Sequence, residues 1–142
     1  MDQSEGVIYN LVGFLRGNLP VYTIYINKRE AVGSQEFVPD NCILVQQSGG
    51  IEGKWFTFNA YNFQVLTRAV DAIDAQAMSY AVQRLIHNTW ALVLPVITIG
   101  AVTYPALQTA NIMAIQPPSN IGTDENGLVE FSNNYTIKFT DE

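Results

Sequence analysis

Val7, Ile8, Leu11, Val12 and Leu15 recur at helical spacing, with Glu5, Asn10 and Arg16 off that stripe, and so predict a helix over residues 3–16. Asp2 followed three residues later by Glu5 has the form of a capping box, and Gly17-Asn18 before Pro20 is a stop signal. Gly6 and Gly13 each weaken such a helix by about 1 kcal/mol relative to Ala, so it depends on docking its apolar face. The β-branched and aromatic run 21–26 predicts a strand. Residues 27–40 hold Lys28, Arg29, Glu30, Gly33, Glu36 and Pro39 and predict an exposed loop. A second strand is expected over 41–47, around Cys42 to Val45, ended by Ser48-Gly49-Gly50. The run 54–67 carries Trp55, Phe56, Phe58, Tyr61, Phe63, Val65 and Leu66, and predicts one long strand or two with a bend near Ala60.

A stronger helix is expected over 71–87. Asp71 suits the N-cap and Asp74 the N3 position, where negative charge complements the helix dipole. Ala77, Met78, Ala81, Val82, Leu85 and Ile86 give it a wide apolar face, with Gln76, Ser79, Gln83 and His87 opposite. Three further strands are expected over 92–99, 108–116 and 128–139. The last alternates cleanly, with Val129, Phe131, Asn133, Tyr135, Ile137 and Phe139 on one parity. Asp124-Glu125-Asn126-Gly127 is a turn signal before it, and Pro117-Pro118 ends the strand preceding it. No repeat or linker interrupts the pattern. The order of elements predicts one α+β domain over 1–142, with two helices packed on a largely antiparallel sheet of about five to six strands.

Composition adds one unusual feature. Of 142 residues 48% are hydrophobic, which argues against disorder, yet only 14% are charged, against about 25% in ordinary soluble domains. Residues 85–123 contain no Asp, Glu, Lys or Arg at all. A polar but uncharged skin of Asn, Gln, Thr and Ser would account for this, and so would a surface covered by another protein, since interface cores are depleted of charge. The most apolar part, 90–102, is too short for a membrane-spanning helix and is interrupted by Pro95, Thr98 and Gly100. The net charge of −6 argues against binding nucleic-acid phosphates. A single cysteine, Cys42, excludes an internal disulfide, and the first residues lack the basic and apolar regions of a signal peptide, so folding in a reducing cytoplasm is expected.

Candidate chemistry is sparse. His87, the only histidine, falls in the last turn of the second helix, where the dipole favours it, and no nucleophile with an orienting acid is assembled around it. Cys42 lies in an apolar strand, where a thiol behaves as a small hydrophobe. Gly49 to Lys54 has the look of a phosphate-binding loop, but the spacing is one residue short and Trp55 stands where Ser or Thr should hold Mg²⁺. Asp124, Glu125 and Asn126 lack the remainder of a calcium loop. The aromatic run from Trp55 to Phe63 has only Lys54 and Arg68 beside it, too little positive charge for a base-stacking groove. No catalytic, cofactor-binding or metal-binding residue is therefore assigned, and no enzymatic activity is expected.

Four stretches in order resemble the minor capsid or tail terminator proteins of long-tailed bacteriophages. They are Gln47-Ser-Gly-Gly50; Asn62-Phe-Gln-Val-Leu-Thr-Arg-Ala69 leading into the helix with Ala77 and Leu85-Ile-His-Asn88; Pro117-x-x-Asn-Ile-Gly122; and Asp124-Glu-Asn-Gly-Leu-Val-Glu-Phe-Ser-Asn-Asn-Tyr135. Leu128 stands where such proteins often carry Arg. The resemblance implies a structural virion protein that forms a ring, usually of six copies, on the head-proximal end of the tail tube. Such a ring stops tube growth and offers a surface to the head–tail connector proteins. It also implies no enzyme activity, no cofactor and no membrane, with assembly in the host cytoplasm and DNA only passing through the lumen. Sheet edges and the charge-free tract would make the ring contacts. The loop 27–40, around Lys28 to Glu36, and the turn Asp124 to Gly127 are places for further exposed contacts, the loop ordering on docking. The residues also admit a small cytosolic α+β module binding a ligand or peptide, with the aromatic strand forming its groove. An enzyme would need a buried carboxylate in a cleft, for instance at Asp71 or Asp74.

Overall fold

The computed structural model describes residues 4–26, 42–47, 54–55, 58–123 and 127–140. Its spine is a pair of twelve-residue strands, β4 (Phe58–Ala69) and β11 (Val129–Thr140), antiparallel from Phe58 opposite Thr140 to Ala69 opposite Val129. The alternation predicted for β11 is realised: Phe131, Asn133, Tyr135, Ile137 and Phe139 are all buried on one face. Opposite them on β4 lie Tyr61, Phe63, Val65 and Thr67, and the Phe63 and Tyr135 rings stack at 5.1 Å with 8° between their planes.

Beyond β4, β2 (Cys42–Gln47) pairs antiparallel and β1 (Thr23–Ile26) then pairs parallel to β2. On the other side of β11, β9 (Leu107–Ala114) and β10 (Ser119–Thr123) occupy successive stretches of the same edge, separated by the segment containing Pro117-Pro118. The short strands β5 (Thr89–Trp90) and β6 (Val93–Leu94) line the outer side of β9, and β3 (Lys54–Trp55) pairs with the start of β4. The nine strands have the order β1-β2-β4-β11-β9-β5 along the main path. Two helices on a mixed, mostly antiparallel sheet with about six main strands make this an α+β fold.

Both helices lie on one face. A single buried cluster joins Leu11 and Leu15 of α1 (Ser4–Asn18), Met78 and Val82 of α2 (Ala72–Ile86), and the Phe63 and Tyr135 side of the sheet. A smaller cluster of Tyr25, Cys42, Leu44 and Leu66 lies on the opposite strand parity. As predicted, Asp71 caps α2, its carboxylate accepting from the Ile73 N–H at 3.0 Å.

Several expectations need correction. The face that α2 buries is Ala75, Met78, Ser79, Val82 and Ile86, whereas Ala77 is exposed and Ala81 and Leu85 are half-buried. Small residues at 75 and 79 let the helix sit close to the sheet, where the Thr67 hydroxyl of β4 donates to the Ala75 carbonyl at 2.8 Å. Ser79 thus belongs to the core side. The run 54–67 turns back between β3 and β4, earlier than Ala60. The strand expected over 92–99 is broken at Pro95: β6 stays with β9, while β7 (Ile97–Ile99) leaves to form a separate hairpin with β8 (Val102–Tyr104). The loop 27–40, the segment 48–53 and residues 124–126 lie outside the described residues.

Candidate functional site

The charge-free tract builds the outer half of the fold. Eleven large hydrophobic side chains are exposed among the described residues, and eight of them fall within 85–123. They gather chiefly on two structures, one on each side of the sheet.

The first is the β7–β8 hairpin. Its turn is Gly100-Ala101, and Gly100 takes the positive φ of 62° that suits the first central position of a tight mirror-image hairpin turn. Thr98 and Thr103 are cross-strand partners with hydroxyls 3.0 Å apart, while Ile97, Ile99, Val102 and Tyr104 share the other face. The base of that apolar face docks on α1. A Cβ at Gly6 would lie 2.6 Å from Tyr104 Cδ1, and one at Gly13 would touch Ile97 Cδ1 at 3.4 Å. The two glycines, seven residues apart on one side of the helix, are thus places where the hairpin approaches the helix backbone. Tyr104 also packs on Tyr9, with ring centres 5.0 Å apart. Asn10, 3% exposed, donates its amide protons to the carbonyls of Pro95 at 2.8 Å and Pro105 at 3.1 Å, the two residues that bracket the hairpin. At the tip, Ile99 and Val102 remain exposed.

The second structure lies at the β5–β6–β9 edge, on the face away from the helices. Trp90 sits opposite Asn111 and Val93 opposite Gln108, while Met113 pairs with Thr136, all on the helix-free parity. Trp90 is 71% exposed, and Val93 and Met113 are exposed beside it. The indole N–H donates to Asn88 Oδ1 at 3.3 Å, and the strand is flanked by Asn88 at φ 60° and Ala91 at φ 55°. The left-handed region suits Asn but costs Ala about 1 kcal/mol or more. The backbone is therefore strained beside an exposed tryptophan.

Elsewhere the helix-free face carries the small apolar cluster of Tyr25, Cys42, Leu44 and Leu66 and, beside it, polar side chains that are knitted together. Gln46 donates to Gln64 at 2.6 Å, Gln64 to the Ser132 hydroxyl at 2.7 Å, and Thr136 to Asn62 at 2.7 Å. Arg68 and Glu130, opposite one another on β4 and β11, are 3.5 Å apart. At the far sheet edge, Arg16 sets its guanidinium on the Ile24 carbonyl of β1, at 2.6 and 3.1 Å. A charge at an edge strand discourages pairing with another chain. β10, by contrast, is exposed and uncharged throughout, though bulged near Ile121, where Asn120 Oδ1 accepts from the Gly122 N–H at 2.8 Å.

The candidates for chemistry are held in structural positions. His87 is the C-cap of α2, and its Nδ1 accepts the Ala114 N–H at 2.9 Å, tying the helix to β9. Cys42 is buried beside Leu44 and Leu66. Asp71 is occupied by its cap and Asp74 is exposed, neither in the buried setting an acid catalyst would need. Of the aromatic run, Tyr61 and Phe63 are buried in the core. No group of three or more His, Cys, Asp or Glu among the described residues could hold a metal ion. Burial raises the Tyr135 phenol well above its ordinary value, against a smaller opposing influence from the Asn133 amide that donates to it at 3.1 Å.

Sequence reasoning found the charge-free tract but missed the hairpin, the Asn10 clamp and the Trp90 patch. Prolines at both ends of 95–105 and glycines at helical spacing in α1 were the available signals. No protein-family model matches the chain, and no curated protein matches it.

Proposed function

We propose that this protein is a structural component of a long-tailed bacteriophage or prophage. In this reading six copies form a ring that terminates the tail tube at its head-proximal end and joins it to the head–tail connector. The observation that carries the self-assembly is the concentration of exposed apolar side chains in a tract of 39 residues without a single charge. Contiguous apolar surface on a small domain marks a contact with another macromolecule, and removal of charge marks the centre of such contacts. The phage assignment rests on the ordered sequence resemblance. Two of its pieces, Asn62 to Ala69 and Leu128 to Tyr135, are adjacent antiparallel segments at the centre of the sheet, so they belong to one framework.

In the proposed ring the acidic balance keeps passing DNA from adhering, over the short range that screening permits, about 8 Å at physiological salt. Electron micrographs of the protein alone and mixed with purified tail tubes test the reading. Annular particles, free or seated on tube ends, are expected. A protein that neither forms rings nor binds tubes or connectors contradicts it, and a convergent polar pocket with a bound small molecule or peptide would favour the ligand-binding module instead.

A further inference from the structure

We infer that the β7–β8 hairpin is an arm that leaves α1 as one unit, hinged where Pro95 and Pro105 interrupt its base, with Asn10 as its latch. The arm is a property of the fold and does not depend on the virion reading. The register shows where it begins. Leu94 lies opposite Leu107 in β6 and β9, and Ile97 opposite Tyr104 in β7 and β8, so the two pairings continue one another without a slip. They form a single β-ribbon from which only the two positions at Pro95–Val96 and Pro105–Ala106 are missing. A proline has no N–H to give to a ladder, and here one stands on each strand of the ribbon at the same level. Burial changes at the same level. Leu94 and Leu107, just inside the gap, are core residues, whereas no residue from Pro95 to Ala106 is buried. A two-stranded hairpin is marginal by itself, so the order of this one depends on its seat on α1. That seat consists of the close approaches at Gly6 and Gly13, the Tyr9–Tyr104 ring contact and the buried Asn10 amide. Asn10 donates to the carbonyls of both hinge prolines, and so holds the two strands of the gap to the helix at once. Release bares the Gly6–Asn10–Gly13 side of α1 together with Ile97 and Tyr104, while Leu94 and Leu107 keep the rest of the ribbon in the core.

Native-state hydrogen exchange of the full chain tests the arm. The protected amides of β7 and β8 should share one opening equilibrium and exchange, relative to their intrinsic rates, at least about tenfold faster than those of β4 and β11. Asp71→Ala separates release of the arm from global unfolding, because the cap of α2 is equally present whether the arm is docked or free. It should speed exchange in β4 and β11 about fivefold and leave β7 and β8 unchanged. Asn10→Ala should speed β7 and β8 at least about tenfold. A lock gives the same answer should that variant fail to fold. A Cβ at Gly13 would stand 4.0 Å from the Ile97 Cβ, inside the span of about 3.5–4.5 Å that a disulfide bridges. In the double variant Gly13→Cys, Ile97→Cys, oxidation should slow hairpin exchange at least about tenfold and reduction should restore it, while Cys42 stays buried in its own cluster. Hairpin amides that keep pace with β4 and β11, and quicken with them in Asp71→Ala, leave only by global unfolding and overturn the arm. Hairpin exchange that ignores both Asn10→Ala and the disulfide is fraying without release from α1, and overturns it equally.

Discussion

Replacing Gly6 by Ala should destabilise the protein even though Ala is the better helix former. In an open helix interior the exchange gains about 1 kcal/mol. At Gly6 the new methyl would lie 2.6 Å from Tyr104 Cδ1, 3.1 Å from Cγ and 3.3 Å from Cβ. Because the root of the Tyr104 side chain is among these atoms, turning the ring cannot clear the clash. The hairpin must lift or the helix must shift, and overpacking of this kind costs about 1–3 kcal/mol. The balance is a loss of about 0–2 kcal/mol. Gly13→Ala is the internal control: its methyl would meet Ile97 Cδ1 at 3.4 Å, an ordinary contact, so most of the helix gain should survive. Gly17→Ala, with nothing within 4 Å, should also be neutral or mildly stabilising at the helix end. The expected gap between Gly6→Ala and Gly13→Ala is thus about 1–3 kcal/mol, or about 1 M in urea midpoint at an ordinary slope of about 2 kcal/mol/M. Equilibrium urea unfolding of the three variants measures it. A midpoint for Gly6→Ala raised as much as that for Gly13→Ala would refute the docking of the hairpin over that residue.

Other outcomes follow from the same packing. Asn10→Ala removes both amide hydrogen bonds to Pro95 and Pro105 and should cost about 2 kcal/mol, with faster amide exchange in the hairpin as its signature. Asp71→Ala deletes the cap of α2 and should cost about 1 kcal/mol in the same urea assay, while Asp71→Asn, which also caps, should cost less. Tyr135 makes stability fall in alkali. Its folded phenol holds its proton above the unfolded value of about 10, so the contribution is whole below that pH and is lost as pH rises beyond it. Tyrosinate absorbance should accordingly include a phenol, that of Tyr135, which ionises only as the protein unfolds.

Much of the framework was legible because it depends on single-element physics. The α1 stripe, the Asp71 cap and the β11 parity each follow from spacing along one segment. The buried side of α2 did not, because Ala72, Ala75, Ala77, Ala81, Val82, Leu85 and Ile86 offer overlapping apolar stripes, and only the sheet selects among them. The hairpin was hidden because Pro95, Thr98 and Gly100 look like interruptions of one strand; the register reveals a break and a reversal. Asn10 falls off the hydrophobic stripe and so appears to be surface, yet it is buried by a partner 85 residues away. Charge depletion could be read directly from composition. Its division between two sides of the sheet could not, since that requires knowing which strand lies beside which.

The contact role of the uncharged tract is tested most directly by sedimentation mass as a function of protein concentration, at low and at high salt. Copies of net charge −6 held by apolar contacts should associate more strongly as salt screens their repulsion. The mass is expected to climb from 15.8 kDa towards the roughly 95 kDa of six chains, further and at lower concentration in high salt. A mass fixed at 15.8 kDa under all these conditions, in a protein that also ignores tail tubes, would contradict the account.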